Sequence, residues 1–88
     1  MEIVLMPTAL EDIEFWKKSG NIQIQKRISI LLEAISANPF AGIGKPEKLK
    51  YVLNRYWSRR INAEHRIVYT LLNNKVYVIA CRYHYDKN

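Results

Sequence analysis

Apolar residues recur at helical spacing up to about residue 38, then shift to short β-branched and aromatic blocks in the second half. Glu2 to Met6 is an apolar run that predicts a first strand, stopped by Pro7. Thr8-Ala9-Leu10-Glu11 matches a capping box, in which the Thr8 hydroxyl caps a helix and Glu11 reaches back to it. The predicted helix has Ala9, Leu10, Ile13 and Trp16 as its apolar face and ends near Ser19-Gly20, where glycine suits a left-handed C-cap. Asn21 starts a second helix with a stripe of Ile24, Ile28, Leu31, Leu32 and Ile35. Asn38-Pro39 ends it, because a residue before proline avoids the α region.

Residues 39–46 form a loop. Strands are predicted from Leu49 to Leu53, Tyr56 to Ile61, His65 to Leu72 and Lys75 to Tyr83, with turns at Asn62-Ala63-Glu64 and Asn73-Asn74. Short connections favour antiparallel pairing. The expected architecture is α+β, a single domain over residues 1–88 with a first strand and a helical hairpin packed on one face of a curved antiparallel sheet.

Composition fits that size. With 88 residues and 49% hydrophobic content, the chain supports one modest core. One cysteine excludes an internal disulfide and is consistent with a reducing compartment. The N-terminus is a poor signal peptide, and no run approaches the roughly 20 apolar residues needed to span a bilayer. The expected location is the cytoplasm, without a membrane partner.

Charge changes the picture more. Residues 1–44 carry four Lys/Arg and five Asp/Glu, whereas residues 45–88 carry ten and three. All six tyrosines and both histidines also lie in the second half. Basic charge interleaved with aromatics is the footprint of a nucleic-acid binder, and equally that of a solvated basic face.

Metal-free RNA cleavage needs a base for the 2′-hydroxyl, an acid for the departing 5′-oxygen, and cations for the phosphorane. Glu47 is the candidate base: the only acid between Glu33 and Glu64, flanked by Lys45, Lys48 and Lys50. Its alternative role is a surface glutamate offsetting those lysines. His84 is the candidate acid, since histidine trades protons near neutral pH. Tyr83 and Tyr85 beside it are suited to stack bases or hold its ring. His65 reads as a turn or exposed strand residue. Arg59, Arg60, Arg66 and Arg82 are candidate phosphate cations, and Arg59 and Arg60 must point to opposite sheet faces.

Other chemistries fit poorly. Gly42-Ile43-Gly44-Lys45 lacks P-loop spacing and its Ser/Thr. Cys81 and two histidines do not complete a zinc set. Cys81 lies inside an apolar strand, where cysteine acts as a small hydrophobe. No cofactor is called for.

Several segments carry a resemblance. They are Pro39-Phe40, Gly44-Lys45-Pro46-Glu47 with Leu49-Lys50, Trp57-Ser58-Arg59-Arg60-Ile61, Glu64-His65-Arg66 with Val68-Tyr69, and Cys81-Arg82-Tyr83-His84-Tyr85. In this order and spacing the chain resembles the YoeB/Txe family of bacterial toxin–antitoxin ribonucleases, within the RelE-like fold. The likeness is close over residues 39–85 and looser over the helical half. It implies ribosome-dependent mRNA cleavage in the A site, restrained by a small antitoxin of the YefM/Phd kind. It implies Glu47 as general base, His84 as general acid and Arg66 as phosphate-stabilising cation, with Arg60 and Tyr85 in the same site. Lys45, Lys50, Arg82 and Tyr83 are expected to contact RNA. Operator DNA would be bound only through the antitoxin complex, and a homodimer stays open. Asp86-Lys87-Asn88 extends beyond the usual family end. Two other readings share the residues: a non-cleaving RNA- or ribosome-binding inhibitor of the same fold, and a DNA-associated repressor component.

Overall fold

The structure, a computed structural model, describes residues 1–50 and 55–83. Helix α1 (Pro7–Ser19) begins one residue before the expected cap. Proline occupies the first helical position, where its missing N–H costs nothing and its φ is already helical. Met6 is therefore the N-cap, in extended conformation and without a side-chain cap, and Thr8 falls inside the first turn. The capping box is thus overruled by Pro7. Gly20 ends the helix at φ 75, its N–H donating to Lys17 O at 3.2 Å. Ala9, Asp12 and Trp16 form the buried stripe, whereas Leu10 is 53% exposed, against the expected apolar face.

Helix α2 (Ile22–Ala37) follows the sequence pattern closely. Asn21 Oδ1 accepts from Ile24 N at 3.1 Å, and Ile24, Ile28, Leu31 and Ile35 are buried. A fully buried leucine or isoleucine contributes roughly 1.5–3 kcal/mol relative to exposure, so this stripe is a main source of stability.

Five strands complete the fold: β1 (Glu2–Leu5), β2 (Glu47–Lys48), β3 (Trp57–Arg60), β4 (Arg66–Leu72) and β5 (Lys75–Ala80). They form one sheet in the order β1-β5-β4-β3-β2. Neighbours from β2 to β5 are antiparallel, as short connections require. β1 instead lies parallel to β5, from Glu2↔Lys75 to Leu5↔Val78, so the sheet is mixed. The helical hairpin between β1 and the rest of the sheet supplies the long connection that parallel pairing needs. Asn73 and Asn74, at φ 52 and 61, make the tight turn between β4 and β5.

β2 is the pair Glu47–Lys48, and the strand expected from Leu49 to Leu53 falls mostly on residues 51–54, which lie outside the described part. The last strand stops at Ala80 rather than Tyr83. From Cys81 onward α1 and a histidine imidazole supply hydrogen-bond partners, and Tyr83 turns to φ 68. β5 also carries a bulge: Val68 pairs with Ala80 but Tyr69 pairs with Val78.

Both helices cover one face of the sheet. Ile61, Ile67, Tyr69, Val76, Val78 and Cys81 meet Trp16, Ile28, Leu31 and Ile35 there. A smaller cluster of Leu49, Val68 and Ala80, with Tyr56 and Ile79 packed against it, occupies the other face.

Candidate active site on the open face of the sheet

Strand alternation decides which candidates can meet. Side chains two apart on a strand share a face, as do residues directly paired across strands. Glu47 pairs with Ser58, Ser58 shares its face with Arg60, and Arg60 pairs with Arg66. Val68 shares that face, because it pairs with Ser58. Glu47, Arg60 and Arg66 therefore stand together on the face away from the helices. Glu47 and Arg66 are separated by two inter-strand spacings and two residues, which puts their Cβ atoms about 12 Å apart at ordinary sheet spacings. Two long side chains on that separation can flank one phosphodiester.

Arg66 is 4% exposed. Its Nη1 donates to Asn62 O at 2.9 Å, His65 O at 3.1 Å and Ala63 O at 3.4 Å, which orients the guanidinium with backbone dipoles. Its backbone N–H donates to Tyr83 O at 2.9 Å, so the start of β4 lies beside the approach to residue 84. Arg60 is exposed, and its carbonyl accepts from Arg27 Nη2 at 3.3 Å. Lys45, Glu47, Lys48 and Lys50 are exposed around the same edge. His84 and Tyr85 lie outside the described residues.

Arg59, one residue from Arg60, faces the helices and is fully buried. Its Nε donates to Tyr69 Oη at 3.1 Å, and its Nη atoms donate to Ile43 O at 3.1 Å, Ala41 O at 3.0 Å and Asn38 O. Tyr69 Oη in turn donates to Pro39 O at 2.6 Å. This arginine is the internal template of the 38–43 loop. The Gly-rich stretch fits that role, since Gly44 has φ 85 and a Cβ there would meet Leu31 Cδ2 at 2.8 Å. Gly44 O accepts from Arg60 N at 2.6 Å, so the loop delivers Lys45 and Glu47 to the edge of β3 at a fixed height.

The second cluster was only partly legible in the sequence. Asp12 Oδ2 accepts from Cys81 N at 2.9 Å, and Trp16 Nε1 donates to Cys81 O at 2.9 Å. Burial raises the Asp12 pKa above the usual carboxylate value, against the lowering effects of the Cys81 N–H and of the Arg82 charge. Burial, helped by the Asp12 charge, pushes the Cys81 thiol up to about 12, which agrees with a small hydrophobe rather than a nucleophile. His65 is 8% exposed, not an exposed turn residue. It stacks edge-on against Trp16 at 4.8 Å, and its Nδ1 accepts from Tyr83 N at 2.8 Å. Asp12 could have been suspected from its helical spacing to Ala9 and Trp16. The burial of His65 had no sequence signal, because its partners are 49 and 18 residues away.

Arg82 lies with its guanidinium 3.4 Å over the Phe15 ring and 4.5 Å from the Tyr83 ring. Its Nε is buried without a hydrogen-bond partner among the described residues. Tyr83 is 52% exposed, and its backbone is in the left-handed region, which costs a tyrosine about 1–3 kcal/mol. Among the described residues no three His, Cys, Asp or Glu side chains group to hold a metal ion, and no helix is long and apolar enough to cross a membrane.

Residues 5–85 match the family model described as the YoeB-like toxin of bacterial type II toxin–antitoxin systems. The chain belongs to the YoeB-like toxin family. It is 50% identical over 72 residues to the toxin YoeB of Synechocystis, covering 82% of this chain and 84% of that one. Its fold is similar to the YoeB/ParE toxin from Agrobacterium tumefaciens, with a TM-score of 0.90, 41% identity, and coverage of 97% and 100%. It is also similar to YoeB in the heterotetrameric YoeB-YefM complex from Staphylococcus aureus, with a TM-score of 0.84, 44% identity, and coverage of 97% and 98%. The YoeB-like α+β fold expected from the sequence is therefore present, with the mixed sheet as its one topological refinement.

Proposed function

We propose that this YoeB-like toxin is an endoribonuclease that cleaves mRNA in the ribosomal A site and so inhibits translation. The observation that carries this reading is the cross-strand register that puts Glu47, Arg60 and Arg66 on one open face in a basic surround. Glu47 takes the proton of the RNA 2′-hydroxyl, whose oxygen attacks the adjacent phosphorus. Arg66 and Arg60 balance the negative charge that builds on the phosphoryl oxygens. The bond from phosphorus to the 5′-oxygen breaks, and His84 supplies the proton that the departing oxygen needs. Tyr85 acts beside His84, while Lys45, Lys50, Arg82 and Tyr83 contact RNA. No metal takes part in these steps.

The partner that restrains it is a YefM-like antitoxin, in line with the Staphylococcus aureus complex. Operator DNA is bound through that complex rather than by the toxin alone. The protein works in the cytoplasm, where ribosomes are. A homodimer is compatible with this function.

The test is cleavage by purified protein on programmed ribosomes in chelator. Wild type is expected to cut mRNA in the A site, and Glu47→Ala and His84→Ala each to lose about 10²-fold or more. Both variants cutting like wild type would sink the mechanism. Arrest of translation with transcripts intact would point to inhibition by occupancy alone.

A further inference from the structure

We propose that Asp12, Trp16 and His65 are positioning residues that clasp the backbone of residues 81–83 and hold Tyr83 in its left-handed conformation, thereby setting where and in which direction the chain leaves for residue 84. The inference rests on the function proposed above, in which His84 delivers a proton.

Four hydrogen bonds converge on the backbone of two residues, Cys81 and Tyr83. Asp12 takes the N–H of Cys81, and Trp16 donates to its carbonyl, both at 2.9 Å. His65 Nδ1 takes the N–H of Tyr83 at 2.8 Å, and Arg66 N–H donates to the Tyr83 carbonyl at 2.9 Å. Asp12 and Trp16 stand four apart on α1, hence one above the other on one helix face. The Trp16 ring packs edge-on against His65 at 4.8 Å and so links the two halves of the clasp. Because His65 Nδ1 accepts, the neutral imidazole carries its proton on Nε2, which lies 3.5 Å from Glu64 Oε1.

Packing alone does not ask for this arrangement. An edge of the core can be filled by apolar side chains and finished by an ordinary strand. Here a carboxylate is buried at a cost in solvation, and a tyrosine is held at φ 68. Backbone strain of this kind persists only where its surroundings over-determine it, and it clusters at functional sites. The geometric need is plain, since a displacement of about 1 Å in a reacting group can cost about 10²-fold in rate.

The decisive experiment compares full-length variants in single-turnover cleavage on programmed ribosomes. Tyr83→Val and Tyr83→Gly both remove the phenol, and only valine resists positive φ. Tyr83→Val is expected to cleave at least about tenfold more slowly than Tyr83→Gly at saturating ribosomes, with half-saturation unchanged. His65→Asn keeps an acceptor close to the Nδ1 position, and His65→Ala does not. His65→Ala is expected to lose at least about tenfold in the same rate and to speed amide exchange at Tyr83, and His65→Asn to recover most of both. Equal rates within each pair, on a wild type that cleaves, overturn the clasp. A wild type that never cleaves overturns the proposed function instead, and amide exchange at Tyr83 in the His65 pair still decides whether the clasp exists.

Discussion

On the covered face of the sheet, Arg59 is fully buried and gives its donors to Tyr69 Oη and three loop carbonyls. On the open face, one residue later, Arg60 stands in solvent opposite Arg66 and near Glu47. The two residues are chemically identical and adjacent, so strand alternation alone gives them different work. The covered face uses charge to template a loop. Among the described residues, the open face carries a small apolar cluster of Leu49, Val68 and Ala80 and keeps Arg60 and Glu47 exposed. The same strands therefore supply rigidity from one side and, in the proposed function, reactivity from the other.

The strongest way to break this contrast is Arg59→Met. It leaves the carbonyls of Asn38, Ala41 and Ile43 and the Tyr69 hydroxyl without their donor, and is expected to cost about 3–5 kcal/mol in urea unfolding. Arg60→Met in the same assay should change stability by less than about 0.5 kcal/mol. Comparable losses at both positions would erase the distinction. Glu47→Gln tests the open face from the other direction. Its unfolding free energy should stay within about 0.5 kcal/mol of wild type, while cleavage falls about 10²–10⁴-fold.

Gly44→Ala is expected to cost about 2–3 kcal/mol, because alanine resists φ 85 and its Cβ would press on Leu31 and Arg59. A neutral result in thermal unfolding would mean that the loop can reseat without Arg59. The smallest effect is a slope. The folded pKa of Asp12 lies above its ordinary value of 3.8, so between the two values the folded state holds the proton more tightly. The favourable contribution is full below pH 3.8 and is lost as pH rises through the folded value. Asn does not titrate, so the stability of Asp12→Asn relative to wild type should rise across that window. A series of urea midpoints from acid to neutral pH reads the sign, and a relative fall would contradict it.

Much of this was legible from residue order. The α2 stripe and its Asn21 cap, the Asn73-Asn74 turn and the split between Arg59 and Arg60 follow from periods of 3.6 and 2. The errors share one cause: a local signal met a stronger local or distant partner. The Thr8 capping box yielded to Pro7, whose ring already fits the first helical position. The last strand ended early because Asp12 and Trp16 on α1 and His65 before β4 took the backbone groups of Cys81 and Tyr83. The glycines of the 39–46 loop, already set aside as a P-loop for want of its spacing, serve a close approach to Arg59 instead.

By itself the sequence determined the element types, the basic and aromatic second half, the family, and the residues from which a site could be made. These depend on spacing along the chain or on residue identity. Tertiary structure alone decided that Glu47, Arg60 and Arg66 share one open face, that β1 runs parallel to β5, and that a buried aspartate and histidine bind the backbone of Cys81 and Tyr83. Those outcomes depend on register and on contacts between residues up to 73 positions apart, as in the Glu2↔Lys75 pair. No local pattern encodes such contacts, because they form only when the whole core has packed.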